Sequence, residues 1–300
     1  MPLFLGIDGG GSKTTCLVGD ENSVLASATS LGSNPIRVGE KRARNSLQTC
    51  IQEACAQSKI DARSMCRTCV GVAGGGRQDV IDLVRGIVSE YVGGEVEVVP
   101  DMVIALEAAF TGSPGLMIIA GTGSIAYGRD TRGQTARAGG WGFAISDEGS
   151  AHWIGRLAIS AAMHAHDSGE STALLNAILT AWRLGTRDEL VRVANAVPPP
   201  DFASLFPPTL AVASEGDSLA RDVLMRAGTE LAQLAKIVVR RLWPEQQGLA
   251  VAATGGVFQH SQLVRQVFAN SLRSEYPGAT VQPGIVDPAQ GALFLARKAG

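Results

Sequence analysis

The sequence predicts an α/β protein made of two mixed-sheet domains built on one repeated plan. Three observations predict it. Residues 4–18 hold two apolar runs on either side of Asp-Gly-Gly-Gly-Ser-Lys, the pattern of a strand, a glycine turn and a second strand. Alternating helical and strand patterns follow to residue 110. Residues 116–130 (Leu-Met-Ile-Ile-Ala-Gly-Thr-Gly-Ser-Ile-Ala-Tyr-Gly-Arg-Asp) then begin again with strand, glycine turn carrying a hydroxyl, strand and acid, which reads as an internal duplication. A length of 300 residues suits two domains. Their expected bounds are 1–113 and 114–287, with the final helix, 288–300, packing back onto the first.

Taken in order, residues 4–7 and 14–18 form the hairpin and 23–28 add a third antiparallel strand. Residues 39–59 have helical spacing (Ala43, Leu47, Ile51, Ala54, Cys55). A strand at 68–72, a helix at 79–91, a strand at 96–99 ending on Pro100-Asp101, and a helix at 103–110 complete the first half. After the repeated hairpin come a glycine-rich loop at 139–142, a long helical stretch over 150–196 and a proline-rich connector (Pro198 to Pro200, Pro207, Pro208). A helix at 218–242, an apolar strand running into Thr254-Gly255-Gly256, a helix at 261–272, a strand at 280–281 and a helix at 288–298 finish the chain.

Composition bounds the function. Hydrophobic residues are 45% and charged residues 18%, which is a globular balance. A net charge of -2 and a pI near 6.1 give no electrostatic reason to expect nucleic acid or an acidic membrane as partner. The start, Met-Pro-Leu-Phe-Leu-Gly-Ile-Asp, has no basic n-region, and apolar runs fall far short of the roughly 20 residues that span a bilayer. The expected location is cytoplasmic. Five cysteines at 16, 50, 55, 66 and 69 include one C-x-x-C without a second pair, so free thiols are expected rather than a zinc site. The histidines at 152, 164, 166 and 260 lack partner motifs and read as surface or capping residues. Arg240 and Arg241 end a helix, where the dipole favours cations.

Chemistry concentrates in the glycine loops. In residues 8–14 (Asp-Gly-Gly-Gly-Ser-Lys-Thr), Gly10 and Gly11 expose consecutive backbone N–H groups that can close around a phosphate. Ser12 and Thr14 add hydroxyls, Lys13 a point charge, and Asp8 a carboxylate suited to Mg²⁺ held through water. Alone, this loop reads equally as a plain hairpin turn. The second turn, with Gly121, Thr122 and Gly123, decides for phosphate, because two such hairpins at equivalent places can clamp one polyphosphate. No Walker A sequence and no dinucleotide fingerprint competes. The third loop, Gly255-Gly256, reads either as a tight turn into a helix or as bare backbone for an adenine or ribose. Asp101 reads either as a helix N-cap or as a base at a strand's C-terminal end. Trp141 reads as core packing or as a stacking platform.

The order Asp-Gly-Gly-Gly-Ser-Lys-Thr, Gly-Thr-Gly-Ser, Gly-Gly-Trp-Gly, Asp-Glu-Gly-Ser-Ala-x-Trp-Ile-Gly and Thr-Gly-Gly-Val resembles the N-acetylglucosamine kinase family, over residues 4–296. That family lies in the wider group of activator ATPases of benzoyl-CoA reductase and 2-hydroxyacyl-CoA dehydratase. The resemblance implies two actin-like (ribonuclease H-like) ATPase domains, with mixed sheets of five-stranded type, flanking a cleft for ATP and sugar. It implies that Ser12, Lys13 and Thr122 contact ATP phosphates and that Gly255, Gly256 and the helix near Ala213 lie on the adenosine side. It further implies that Asp101 is the catalytic base, and that Asn34, Gly140, Trp141, Gly142 and Asp147 bind the sugar. Glu148 stays without a role.

The expected reaction is transfer from Mg-ATP to a hydroxyl of an amino sugar, the 6-hydroxyl of N-acetylglucosamine first, in a homodimer. Glucosamine, N-acetylmannosamine and an N-acetylmuramate-type sugar are rival acceptors. An ATP-driven reductase activator is a rival of another class, and it would need cluster-binding cysteines in the second half, where the chain has none. A nucleotide-switched regulator would need a DNA-binding element, and the sequence offers none.

Overall fold

The computed structural model of the chain describes residues 1–243 and 249–298, and it divides into two compact units, 1–117 with 286–300 and 118–285. The last two residues of the expected closing helix lie outside the described residues.

In the first unit, β1 (Phe4–Gly9), β2 (Lys13–Gly19) and β3 (Val24–Leu31) form an antiparallel meander. A four-residue helix α1 (Pro35–Val38) and α2 (Glu40–Ser58) follow, then β4 (Arg67–Val72), α3 (Gln78–Ser89), β5 (Glu95–Pro100) and α4 (Asp101–Phe110). The sheet order is β3-β2-β1-β4-β5, with β4 parallel to β1 and β5 parallel to β4. Helix α3 shows why these segments fold as they do. Val80, Val84, Ile87 and Val88 recur on one face and are buried against a core that includes Ile7, Leu47, Ile51 and Val70. The sheet's other face is covered by α4 and by the chain's closing helix, whose Ala289, Ala292, Leu293 and Ala296 pack with Phe4, Leu17, Cys69 and Ile104.

The second unit repeats the topology. Strands β6 (Gly115–Ala120), β7 (Ser124–Arg129) and β8 (Thr135–Gly139) form its meander. Helices α5 (Ala151–Ser168), α6 (Leu174–Trp182), α7 (Arg187–Ala194), α8 (Phe206–Ser214) and α9 (Ser218–Leu242) follow, then β9 (Ala250–Thr254), α10 (Gly256–His260), α11 (Gln262–Arg273) and β10 (Thr280–Ile285). The closing helix is α12 (Pro288–Arg297). The second sheet runs β10-β9-β6-β7-β8, which is the first sheet's order read element for element. The expected duplication is therefore present as topology.

Three local expectations need correction. Residues 150–196 are three helices, not one stretch, because Gly169 in the left-handed conformation caps α5 and a Thr186–Glu189 capping box starts α7 afresh. Pro207 and Pro208 do not belong to a connector. They occupy the first turn of α8, where a missing N–H costs nothing. Strand β8, with the sequence Thr-Ala-Arg-Ala-Gly, was not expected. Among the described residues no helix is long and apolar enough to cross a membrane.

Candidate functional site

In the first unit the loops that follow β1, β3, β4 and β5 gather at one edge of the sheet, outside the carboxyl ends of its parallel strands. The first glycine loop turns between β1 and β2, with Gly10 N–H donating to the Lys13 carbonyl at 3.0 Å. The loop is stitched to the segment after β3. Ser33 and Asn34 N–H groups donate to the Gly10 carbonyl at 3.0 and 3.2 Å. Thr14 Oγ1 hydrogen-bonds the Leu31 carbonyl at 2.8 Å and the Ser33 hydroxyl at 2.7 Å. Thr14 is 0% exposed, so it is not a donor to a ligand as expected but the pin that sets the loop's shape. Ser12 and Lys13 are exposed at the loop's tip.

Asn34 is buried and caps α1, its Oδ1 accepting from Ile36 N–H at 3.0 Å. Asp101 is the first residue of α4 rather than its cap, which is Pro100. Its carboxylate accepts from the Met102 N–H at 2.8 Å, and burial pushes its pKa up. Asp8 ends β1. Burial, then the charges of Asp101 and Asp287, raise its carboxyl to about 7, with Lys13 pulling the other way. Asp287 caps α12 by accepting from Ala289 N–H, and sequence reasoning passed over it. The signal was available: an Asp-Pro at a strand's end, opening a helix, much as Pro100-Asp101 does. Two carboxylates, Asp101 and Asp287, thus act on Asp8 at this edge, and Lys13 opposes them.

In the second unit the turn between β6 and β7 is held from two sides. Ala151 and His152 N–H groups, at the start of α5, donate to the Gly121 and Thr122 carbonyls at 2.9 and 3.3 Å. Gly255, at φ +101°, lies so close that a Cβ would meet the Ala120 carbonyl oxygen at 2.4 Å. Its lack of a side chain is therefore required by the approach of the third loop to the second. Gly256 and Gly121 have open space where a side chain would stand.

Asp147 is 8% exposed and adopts φ +72°, a strained conformation for a non-glycine residue. Its Oδ1 accepts from Ser124 N–H at 3.2 Å, and Ser124 Oγ donates to the Glu148 carbonyl at 2.7 Å. The expected sugar-binding acid is thus tied to the second glycine loop. Burial pushes its pKa up, the Ser124 N–H opposes, and Glu148 adds to the rise. Trp141 is 62% exposed with the Arg137 guanidinium 3.9 Å from its ring centroid, which rules out core packing. Gly140 and Gly142 flank it with φ of +70° and +91°. Ala213 is buried in α8, its carbonyl accepting from Gly216 N–H. His152, expected as a surface or capping residue, is buried between Phe143 (4.8 Å between ring centroids) and Phe202 (5.2 Å).

Among the described residues no group of three or more His, Cys, Asp or Glu side chains is placed to hold a metal ion. All five cysteines are free thiols, and Cys69 of the C-x-x-C is buried. The donor set nevertheless fits a hard divalent cation held by one carboxylate together with water and phosphate oxygens. Asp8 is an oxygen ligand whose negative charge is opposed by its neighbours, and a cation relieves that opposition.

The model of the BadF/BadG/BcrA/BcrD ATPase family matches residues 5–296. The chain is 32% identical over 99% of its length to the N-acetylmuramic acid/N-acetylglucosamine kinase of Clostridium acetobutylicum, covering 99% of that protein. It is 29% identical to the N-acetyl-D-glucosamine kinase of Dictyostelium discoideum, covering 98% of this chain and 97% of that one. A solved structure from Chromobacterium violaceum, described as an N-acetylglucosamine kinase without that activity being established, superposes with a TM-score of 0.78 at 27% identity, with 99% of each chain covered. The fold is the actin-like ATPase fold of these neighbours.

Proposed function

The chain belongs to the BadF/BadG/BcrA/BcrD ATPase family and is an ATP-dependent sugar kinase, and on that premise we propose that it phosphorylates the 6-hydroxyl of N-acetylglucosamine. The observation that carries the reading is Asp101. A half-buried carboxylate, with its pKa raised, opens a helix at the sheet edge that also bears the first glycine loop.

In this reading the glycine loops at Gly10-Gly11 and Gly121 to Gly123, with Ser12, Lys13 and Thr122, take up the phosphates of ATP, while the Gly10 and Gly121 N–H groups are used within their own turns, on the Lys13 and Gly123 carbonyls. Gly255, Gly256 and the helix end near Ala213 border its adenosine. Asp8 would hold Mg²⁺, which supplies neutralisation of the charge on the phosphates. Asn34, Asp147 and the Gly140-Trp141-Gly142 turn take the sugar, Trp141 offering its exposed face and Asn34 its amide donors. Asp101 accepts the proton of the attacking hydroxyl as the bond to phosphorus forms. The raised pKa makes it a stronger base than a surface carboxylate. Phosphoryl transfer asks little covalent chemistry of a protein, so positioning and charge neutralisation account for most of the acceleration. A homodimer, as the family resemblance implies, is part of the same reading.

The test is ADP release from Mg-ATP across a panel of amino sugars, with N-acetylglucosamine expected to give the highest kcat/KM and 6-phosphate as product. A chain that releases no sugar-dependent ADP would sink the reading.

A further inference from the structure

We propose that Thr14 and Ser33 are positioning residues, a buried hydroxyl pair that holds the phosphate loop and the Asn34 segment in one register so that the attacking hydroxyl meets the terminal phosphate of ATP in line; the inference rests on the amino-sugar kinase reading above. Neither side chain touches a ligand. From Ser12 to Asn34 the chain runs out along β2 and back along β3, and a register set by that path alone would bend with both strands. Direct bonds shorten the path. The Gly10 carbonyl accepts from the Ser33 and Asn34 N–H groups together, and Thr14 meets Ser33 across 19 residues of chain.

Donors and acceptors leave one arrangement for the pair. Thr14 has a single hydroxyl proton, and the Leu31 carbonyl, 2.8 Å away, can only accept it. The proton between the two hydroxyls therefore comes from Ser33, whose Oγ–H donates to Thr14 Oγ1 at 2.7 Å. Thr14 and Ser33 are 0% and 1% exposed, so water cannot stand in for a partner that is removed. The backbones are closed on the same joint. A Cβ on Gly32 would meet the Gly11 carbonyl oxygen at 2.3 Å and the Ser12 nitrogen at 2.9 Å, and a Cβ on Gly9 would meet Ser33 Oγ at 3.1 Å. Asn34 Oδ1 is itself bound to the Ile36 N–H, so the Asn34 side chain follows its backbone.

Cutting the pair leaves each binding element with its own groups. Ser12 and Lys13 stay on the loop, and Asn34 stays on the cap of α1. What changes is the distance between the two elements. Binding of either substrate depends on the groups, whereas transfer depends on the distance, and a misplacement of about 1 Å costs transfer on the order of 100-fold. The pair therefore acts on kcat and not on either KM.

The experiment measures kcat and the KM values for Mg-ATP and for the best acceptor of the amino-sugar panel. It uses the full chain as wild type, Thr14→Val, Ser33→Ala, the double variant and Thr14→Ser, with each rate divided by the folded fraction from near-UV circular dichroism. Thr14→Val and Ser33→Ala should each lower kcat on the order of 10- to 100-fold with both KM values little changed. The double variant should lose no more than the worse single one, as expected of groups that act through one bond. Thr14→Ser, which keeps the hydroxyl, should restore the rate. Should Thr14→Val not fold, Ser33→Ala and Thr14→Ser carry the same comparison. A lowered melting temperature with kcat unchanged overturns the inference, because the pair then only supports the fold. A raised KM with kcat unchanged also overturns it, because the pair then shapes one site instead of the distance between two. Either outcome leaves the kinase reading standing. A wild type that phosphorylates no sugar of the panel overturns both.

Discussion

Replacing Asp8 by Asn should stabilise the ligand-free chain at neutral and alkaline pH while abolishing its activity. The carboxyl is raised from 3.8 to about 7 in the folded chain. A gap of about 3 units at ~1.4 kcal/mol per unit gives ~4 kcal/mol as a ceiling. The side chain is half-buried, so solvent screening brings the working figure to roughly 2–4 kcal/mol. The sign follows from proton linkage. Between pH 3.8 and about 7 the folded chain keeps a proton that the unfolded chain releases. The stability from protonated Asp8 is therefore complete below the unfolded pKa and is lost as pH rises through the folded one. Asn at this position is neutral throughout and loses nothing. Thermal melts in a metal chelator should show the variant and the wild type keeping a fixed offset below about pH 4, with the variant gaining roughly 5–10 °C by about pH 8. Mg²⁺ with nucleotide should then raise the wild type's melting temperature and leave the variant's unmoved. A difference between the two proteins that is the same at acid and alkaline pH would refute the reasoning, because it would mean that the Asp8 charge is not opposed in the fold.

Two further outcomes follow from the same geometry. Asp101→Asn keeps the shape and the bond from Met102 but removes the base, so kcat should fall on the order of 10²- to 10⁴-fold with the KM for ATP little changed; turnover near the wild-type rate would remove Asp101 from the chemistry. Gly255→Ala must place a Cβ against the Ala120 carbonyl at a φ of +101°, which should cost ~2–4 kcal/mol in urea unfolding. A shift of the midpoint equivalent to less than ~0.5 kcal/mol would show that the two loops separate at little cost.

The parts of the fold that are local in sequence were legible. The hairpins announce themselves by glycines between apolar runs, and Asp8 and Asp101 by acids that end strands. What escaped was set by contacts distant in the chain. Thr14 looks like a phosphate hydroxyl until Leu31 and Ser33 are found to occupy it. Asp147 looks like a loop acid until Ser124, 23 residues earlier, is found bonded to it. Gly255 looks bare for a ligand's sake, whereas the Ala120 backbone accounts for its bareness. His152 carries no partner motif, and its burial depends on Phe143 and Phe202 arriving from either side. Strand β8 was missed because Thr-Ala-Arg-Ala-Gly lacks the apolar alternation of a strand and is recruited by pairing with β7.

The closing helix has a consequence for how the chain is made. Helix α12 seals the face of the first sheet, and its Gly291 sits so tightly on α4 that a Cβ would meet the Ile104 carbonyl oxygen at 1.8 Å. The first unit is thus assembled from two separated segments, 1–117 and 286–300, and the second is a single uninterrupted span between them. On the ribosome, residues 1–117 have to wait for α12, which is made only after the whole of the second unit, with Phe4, Leu17, Cys69 and Ile104 uncovered meanwhile. The middle span can complete its own core before then. Closure of the earlier unit is a late, long-range event of high contact order, and the interval before it is when this chain is most open to aggregation.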